Sequence, residues 1–386
     1  MLKVARRELG RIASDRYYLW LLVVLPLASY WLLASIFSAG VPRDLPVAVV
    51  DQDHSTLSRQ IVRAIDATPS MAVAARPGSI EAARALVLEN QVYAVVVLPF
   101  GMERDARRGQ APAATGYLNA QALLPASLIR RDLRAAVATV SAGLEVRGRQ
   151  ARGEPPRAAL ARFEPVRLDY HTLFNPRLDY VSYLLTALLP ASLQIFVLLV
   201  AVYSVGGELK NGTAGSWIEA AGGRAFRAAA GKLAPYALYF TALGLTMLAV
   251  LESRLGVPLG GSPALLGTAT FLLVLAYLAV GLALAVWFAN LRLASSATAV
   301  YAAPAFAFVG ITFPTMGMPV AGRLWGELLP LTHYLRILVN QGIRNAPAGV
   351  SLPSLAALAA FAAAGVAASL WRLRRVASDE RYWGRR

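Results

Sequence analysis

Cysteine is absent from the 386 residues, and histidine occurs only three times. The first absence excludes a disulfide frame and thiolate metal sites. His54, His171 and His333 stand far apart with no second histidine at ligand spacing, so no metal centre is expected. Charge is also scarce. Charged residues make up 16% of the chain and hydrophobic residues 57%, with mean hydropathy +0.50, against about 25% and roughly 45–50% in soluble domains. That balance excludes an ordinary soluble enzyme.

Recognisable catalytic and nucleotide signatures are missing as well. No Gly-x-Ser-x-Gly elbow occurs. Gly231-Lys232 resembles the end of a phosphate-binding loop, but Phe226 stands where the first glycine belongs and Leu233 where Ser or Thr must follow. Asp51, Asp53 and Ser55 faintly suggest a calcium loop without its glycine or terminal glutamate.

What is present is segregation of the charge. Stretches 18–37, 180–205, 233–251, 264–289, 293–313 and 352–370 contain no Asp, Glu, Lys or Arg. Each is long enough to cross a bilayer, which takes about 20 apolar residues. Between the first two lies a segment of 142 residues, 38–179, carrying 32 charges. The reading is a membrane all-α bundle of six transmembrane helices, with a mixed α/β extracytoplasmic domain inserted between the first and second helices. Residues 1–37 hold an interfacial helix and the first span, 38–179 the extramembrane domain, and 180–386 the remaining five spans.

Orientation follows from Lys and Arg in the short loops, because long translocated domains escape that rule. Segments 1–17, 206–232, 290–292 and 371–386 carry 16 basic residues in 63, and loops 252–263 and 314–351 carry 4 in 50. Both termini are therefore expected in the cytoplasm and 38–179 outside, in the periplasm if the organism has one. The formal charge of +16 is largely a product of this topology. No basic stripe with interleaved aromatics stands out, so nucleic acid is not an expected partner.

Local patterns refine the segments. Stretch 18–37 exceeds the roughly 7–15 apolar residues of a signal peptide, which makes it a retained anchor. Leu2, Ala5, Leu9, Ile12 and Ala13 recur at helical spacing beside Lys3, Arg6, Arg7 and Arg11, as in a helix lying in the membrane interface. In the inserted domain, 46–50 and 93–98 read as strands and 56–67, 79–90 and 122–150 as helices, with Ser55 a cap and 147–156 a loop. Gln194, Ser192, Ser295, Ser296 and Thr298 are the polar residues left in the spans, and interhelical hydrogen bonding is their expected role. The lack of ionisable groups there argues against coupling to an ion gradient.

Five short motifs then carry a resemblance. LPVAVVDQDHSTLSR at 45–59, Phe174-Asn175-Pro176 with 178–180, Glu208-Leu209-Lys210-Asn211-Gly212-Thr213, Gly231-Lys232, and GITFPTMGMP at 310–319 with LPLTH at 329–333 appear in this order. Together they resemble a permease subunit of the ATP-binding cassette type-2 exporter family, in the branch with a large periplasmic insertion. Two departures are visible: Leu189-Pro190-Ala191 stands where Pro-Gly is common, and Ala221-Gly222-Gly223 where Thr-Pro is frequent.

The resemblance implies a transport subunit of the bacterial inner membrane, not itself an enzyme, with no cofactor in this chain. ATP and Mg would be held by a separate ABC ATPase subunit, and a second permease would complete a homo- or heterodimer. It implies ATPase coupling through loop 206–232, with Glu208, Gly212, Thr213, Trp217 and Ile218 as coupling residues. It also implies an outer re-entrant segment, 314–351, gated around Pro314, Pro319 and Pro330. The nearly uncharged lining favours efflux of a hydrophobic or amphipathic cargo, drug-like, lipid-like or polyketide-like, and the exported domain would meet a periplasmic adaptor. The alternative is a membrane-anchored scaffold or binding protein presenting 38–179, for which six spans are more than anchoring requires.

Overall fold

A computed structural model describes residues 1–153 and 173–384; His171 and the end of the expected loop 147–156 lie outside them. The chain divides into two compact units, one of Met1–Ser38 with Asp179–Arg386 and the other of Ala39–Leu178. The first begins with helix α1 (Leu2–Ser14) and α2 (Arg16–Phe37), separated by Asp15, whose extended backbone and side chain cap the start of α2 through the Tyr17 N–H. A π-helical turn, Trp20–Val24, sits directly before Pro26 in α2.

The Ala39–Leu178 unit is an α/β layer structure. In chain order it contains β1 (Leu45–Asp51), α3 (Thr56–Asp66), β2 (Met71–Ala75), α4 (Ile80–Leu88), β3 (Ala94–Leu98), α5 (Met102–Arg107), β4 (Thr115–Leu118) and α6 (Leu123–Ala151). The sheet order is β2-β1-β3-β4, with β1 parallel to both neighbours and β4 antiparallel to β3. Val47 pairs with Ala94, Val49 with Val96 and Asp51 with Leu98. Successive side chains of a strand point to opposite faces, and a parallel sheet buried on both reads as a continuous apolar run. Accordingly Val47, Val49, Val96 and Leu98 pack with Leu57, Ile61, Ile65, Leu128 and Ile129, whereas Ala48, Val50, Val95 and Val97 pack with Ala83 and Leu86.

Helix starts here are chemically specified. Ser55 accepts from the Ser58 N–H at 3.1 Å, and Ser79 accepts from the Ala82 N–H at 3.1 Å. Asp51 takes the N–H groups of Asp53 and His54 on Oδ1 and the Ser58 hydroxyl on Oδ2, so it builds the turn after β1. Asp53 accepts from the Glu103 N–H at 3.0 Å. Glu103 in turn accepts from the Thr56 and Leu57 N–H groups. Its carboxyl is held below the ordinary value by the Arg107 hydrogen bond first, then by those two amides. Helix α6 continues to Ala151 through Gly148, beyond the expected onset of a loop at Arg147; the arginines and small residues of its last turns are compatible with a helix, and the i,i+4 pair Arg149–Glu145 at 2.7 Å adds to it.

The other unit resumes with α7 (Val181–Lys210), α8 (Ala214–Ala220), α9 (Ala225–Ser253), α10 (Pro263–Phe288), α11 (Leu291–Ala302), α12 (Ala305–Phe308), α13 (Val320–Glu327), α14 (Pro330–Ile337) and α15 (Leu352–Ser378). Among the described residues, five helices are long and apolar enough to cross a membrane: α2, α7, α9, α10 and the last, with its leading turn, Ala348–Ser378. Positions 293–313, the fifth of the six stretches expected to span, are divided between α11 of 12 residues and α12 of 4. Pro304 lies between them, and proline removes a helical hydrogen bond and crowds the preceding turn.

Helix α10 is packed closely on three sides through small residues. A Cβ on Gly281 would lie 2.5 Å from Ala201 of α7, one on Gly365 of α15 would lie 2.9 Å from Ala279, and one on Gly244 of α9 would lie 2.6 Å from Thr270. Such small-residue seams let helices associate where no hydrophobic force separates lipid from protein. Of the polar residues expected to bond between helices, Gln194 does so: it donates to the Ala302 carbonyl at 3.4 Å and accepts from the Tyr277 hydroxyl. Ser192, Ser295 and Thr298 bond back to carbonyls of their own helices. The Tyr277 oxygen also accepts the Leu331 N–H at 3.0 Å, which satisfies one of the open donors at the start of α14.

Two expectations follow. Tyr277→Phe orphans buried groups on Gln194 and Leu331, each worth about 1–3 kcal/mol, and should lower the midpoint of thermal unfolding in detergent; an unchanged midpoint would disprove the bridging role. Because Glu103 titrates lower in the folded unit than unfolded, its stabilisation is present above the ordinary carboxylate range and fades as pH falls through the lowered value. Amide exchange at Thr56 and Leu57, corrected for intrinsic pH dependence, should therefore accelerate on acidification and become pH-insensitive in Glu103→Gln.

Candidate functional site

Glu208, expected as a coupling residue, converges with a second carboxylate and with bases at one end of the helical unit. Glu208 lies two residues before the end of α7, Lys232 in the second turn of α9, and Glu8 in the middle of α1. All three are buried: Lys232 and Glu208 have no exposure and Glu8 has 2%. The Lys232 ammonium contacts Glu8 Oε2 at 2.5 Å and Glu208 Oε1 at 2.9 Å. Arg11 reaches Glu208 Oε1 at 2.9 Å and Arg7 reaches Oε2 at 3.0 Å. The Tyr236 hydroxyl donates to Glu8 Oε1 at 2.6 Å, and Tyr18, stacked on Tyr236, approaches the same oxygen at 3.4 Å. Burying a charge without partners is prohibitive, so these groups are held as a set.

Small residues create the room. A Cβ on Gly207 would lie 2.7 Å from the Arg11 guanidinium, and one on Gly231 would meet the Met1 carbonyl at 2.8 Å and Val4 at 3.0 Å. Gly231-Lys232 is thus a seat for α1 followed by its charge anchor. Glu8 was missed by the sequence reading. Its signal was faint: it is the lone acid among Lys3, Arg6, Arg7 and Arg11, four residues from Val4 and so on the same helical face.

The loop from α7 to α9 is built onto this cluster. Thr213 donates its hydroxyl to Glu208 Oε2, and its N–H bonds the Glu208 carbonyl at 2.9 Å. Gly212 has φ +67, a left-handed turn that favours glycine. Helix α8 follows and is succeeded by Gly222 and Gly223, with φ +71 and +73; the Gly223 N–H returns to the Ile218 carbonyl at 3.0 Å. The departure Ala221-Gly222-Gly223 therefore makes a glycine-capped exit. Trp217 is fully buried: its Nε1 donates to the Ala228 carbonyl at 3.1 Å, and Lys232 lies 5.1 Å over its ring. Trp217 thus packs α8 inward, Ile218 is half-buried, and Phe226 is 55% exposed.

The expected gate residues fall in a different part of the unit. Pro314 leads a 3-10 turn, Thr315–Gly317, Pro319 caps the start of α13, and Pro330 opens α14. Helices α13 and α14 are broken at Leu328-Leu329 and clamped by Glu327, which accepts from Arg336 at 2.8 Å and from His333 through its carbonyl at 3.0 Å. In α14, Leu331, Tyr334, Leu335 and Ile337 are buried. Among the described residues, no group of three or more His, Cys, Asp or Glu is arranged to hold a metal ion.

A family model described as ABC-2 family transporter protein matches residues 16–371. The chain belongs to that family, and is accordingly a multi-pass membrane protein of the permease type found in ABC transporters. Comparisons with curated proteins and with solved structures return no match.

The cluster makes its own test. Lys232→Met leaves Glu8 buried with no cation in contact, which costs about 3–5 kcal/mol, and should sharply reduce the yield of folded protein. Combining it with Glu8→Gln should restore much of the loss. If the double variant is as unstable as the two single losses combined, the groups are not coupled.

Proposed function

We propose that the chain is the membrane-spanning permease of an ATP-driven exporter, and that the Glu208 cluster is where a separate ATPase subunit acts on it. The observation that carries this is the convergence on Glu208 of three segments: Arg7 and Arg11 from α1, Thr213 from the loop before α8, and Lys232 from α9. A push on α8 would reach the inner ends of α7 and α9 and the start of α2 together, because buried ion pairs tolerate no loosening of a single partner.

In this reading both termini and loop 206–232 face the cytoplasm, as the distribution of Lys and Arg favours, and the Ala39–Leu178 unit lies on the far side of a bacterial inner membrane. Helices α11 and α12, with the turn at Pro304, cross jointly as the fifth of six spans. Glu208, Gly212 and Thr213 hold the coupling turn, Trp217 and Ile218 fix α8 from below, and Phe226 offers an apolar contact. Two permeases pair, identical or mixed, and their partner binds ATP and Mg. The segment around Pro314, Pro319 and Pro330 closes the outer end of the path, with Pro330 buried at the start of α14. The cargo is hydrophobic or amphipathic, since apart from the end cluster the long helices carry few charges, and the α/β unit hands it to a periplasmic adaptor.

The test is purification of the tagged chain from native membranes in mild detergent, followed by mass spectrometry and ATP hydrolysis. An ATPase subunit should co-purify, and Glu208→Ala should reduce its cargo-stimulated hydrolysis at least several-fold. A dimeric preparation with no such partner, or one whose hydrolysis ignores Glu208→Ala, would overturn the proposal.

A further inference from the structure

Residues 379–384, beyond α15, stay packed against the helical unit. Asp379 has extended backbone, φ -118 and ψ 107, and its carboxylate takes the Arg381 N–H at 3.0 Å, turning residues 379–384 back toward the loop that contains α8. The Gly384 N–H donates to the Leu209 carbonyl at 3.0 Å, and Trp383 Nε1 donates to the Val376 carbonyl at 3.2 Å. Tyr382 and Trp383 pack with Leu209, Ala214, Val376 and Ala377 in one apolar cluster. The guanidinium of Arg372 lies 5.2 Å over the Tyr382 ring, so the tail is held by the last helix as well as by the loop.

The fit against α8 is close at two glycines. A Cβ placed on Gly215, in the first turn of α8, would stand 3.2 Å from the Trp383 ring, and one on Gly212 would stand 3.8 Å from it. Gly215 is an ordinary helical residue, since its φ is not among the positive values. Glycine there costs about 1 kcal/mol of helix stability relative to alanine, and the close ring gives a reason for its presence. Trp217 holds α8 from the core side and Trp383 covers it from the other.

We propose that the tail 379–384 is a latch for the ATPase-docking element, with Trp383 as the positioning residue that sets the orientation of α8. The inference rests on the exporter reading for its functional consequence, though the latch itself does not. A docking ATPase subunit would then meet a surface made of the 212–223 loop and the tail together. Motion imposed on α8 would pass directly to α15 through Val376 and Ala377 as well as to α7 and α9 through Glu208.

Two readouts separate the claims. Hydrogen exchange of residues 212–223 is measured on the full chain in nanodiscs, and the kcat and KM for ATP are measured on the co-purified complex. Trp383→Ala should speed exchange across 212–223 at least ten-fold while α9 and α10 stay protected, and should lower kcat several-fold at unchanged KM. Trp383→Phe should recover most of both. Gly215→Val, which introduces a branched side chain against the ring, should mimic the loss, and adding Trp383→Ala to it should make exchange no worse. Unchanged exchange in both Trp383→Ala and Gly215→Val overturns the latch even if the complex still hydrolyses ATP. Faster exchange in a chain that recruits no ATPase subunit supports the latch and overturns the docking role assigned to it.

Discussion

The helical unit depends on one physical constraint: two carboxylates and an ammonium buried together where α1, α7 and α9 meet. The Lys232 ammonium contacts both Glu8 and Glu208, and Glu208 also takes Arg7 and Arg11 of α1. A buried ion cluster is weak evidence for extra stability, because desolvation offsets much of the attraction. Its value is geometric. An apolar seam can slide by fractions of an ångström, but a three-way ion contact with Tyr236 and Thr213 hydrogen bonds has one arrangement in which every group is satisfied.

From that constraint the neighbouring elements take their places. Helix α1 must lie against Gly231 for Glu8 to reach Lys232, so its other face, with Leu2 88% and Leu9 55% exposed, is left for an apolar surrounding. Thr213 bonds Glu208 and Gly212 supplies the turn, so α8 begins where the cluster ends. Trp217 then closes over Lys232 from beside it. The membrane-type helices further along are joined by a different physics, in which Gly244, Gly281 and Gly365 permit contact and Gln194 with Tyr277 supplies the polar ties.

Much of this was legible in the chain. Uninterrupted apolar runs dictate membrane helices because no backbone polar group can be left open in lipid, and the β-branched run at 46–50 dictates a strand buried on both faces. Ser55 announces its cap. The run at 293–313 reads as one span because hydropathy counts residues without asking whether Pro304 lets one helix carry them; the structure divides it between α11 and α12. Strands β2 and β4 were invisible because Met71–Ala75 and Thr115–Leu118 are short and carry little β-branched character.

Sequence by itself determined the positions of the long helices, because hydropathy and charge are local properties, and its short motifs carried the resemblance that pointed to the family and singled out Glu208 and Gly212. Only the tertiary structure decided that Glu8 is the partner of Lys232, that Trp217 faces inward, and that Trp383 returns to Gly215. Those contacts join residues up to 224 positions apart. Nothing in the local chain encodes them; they follow from which helices the packing brings side by side.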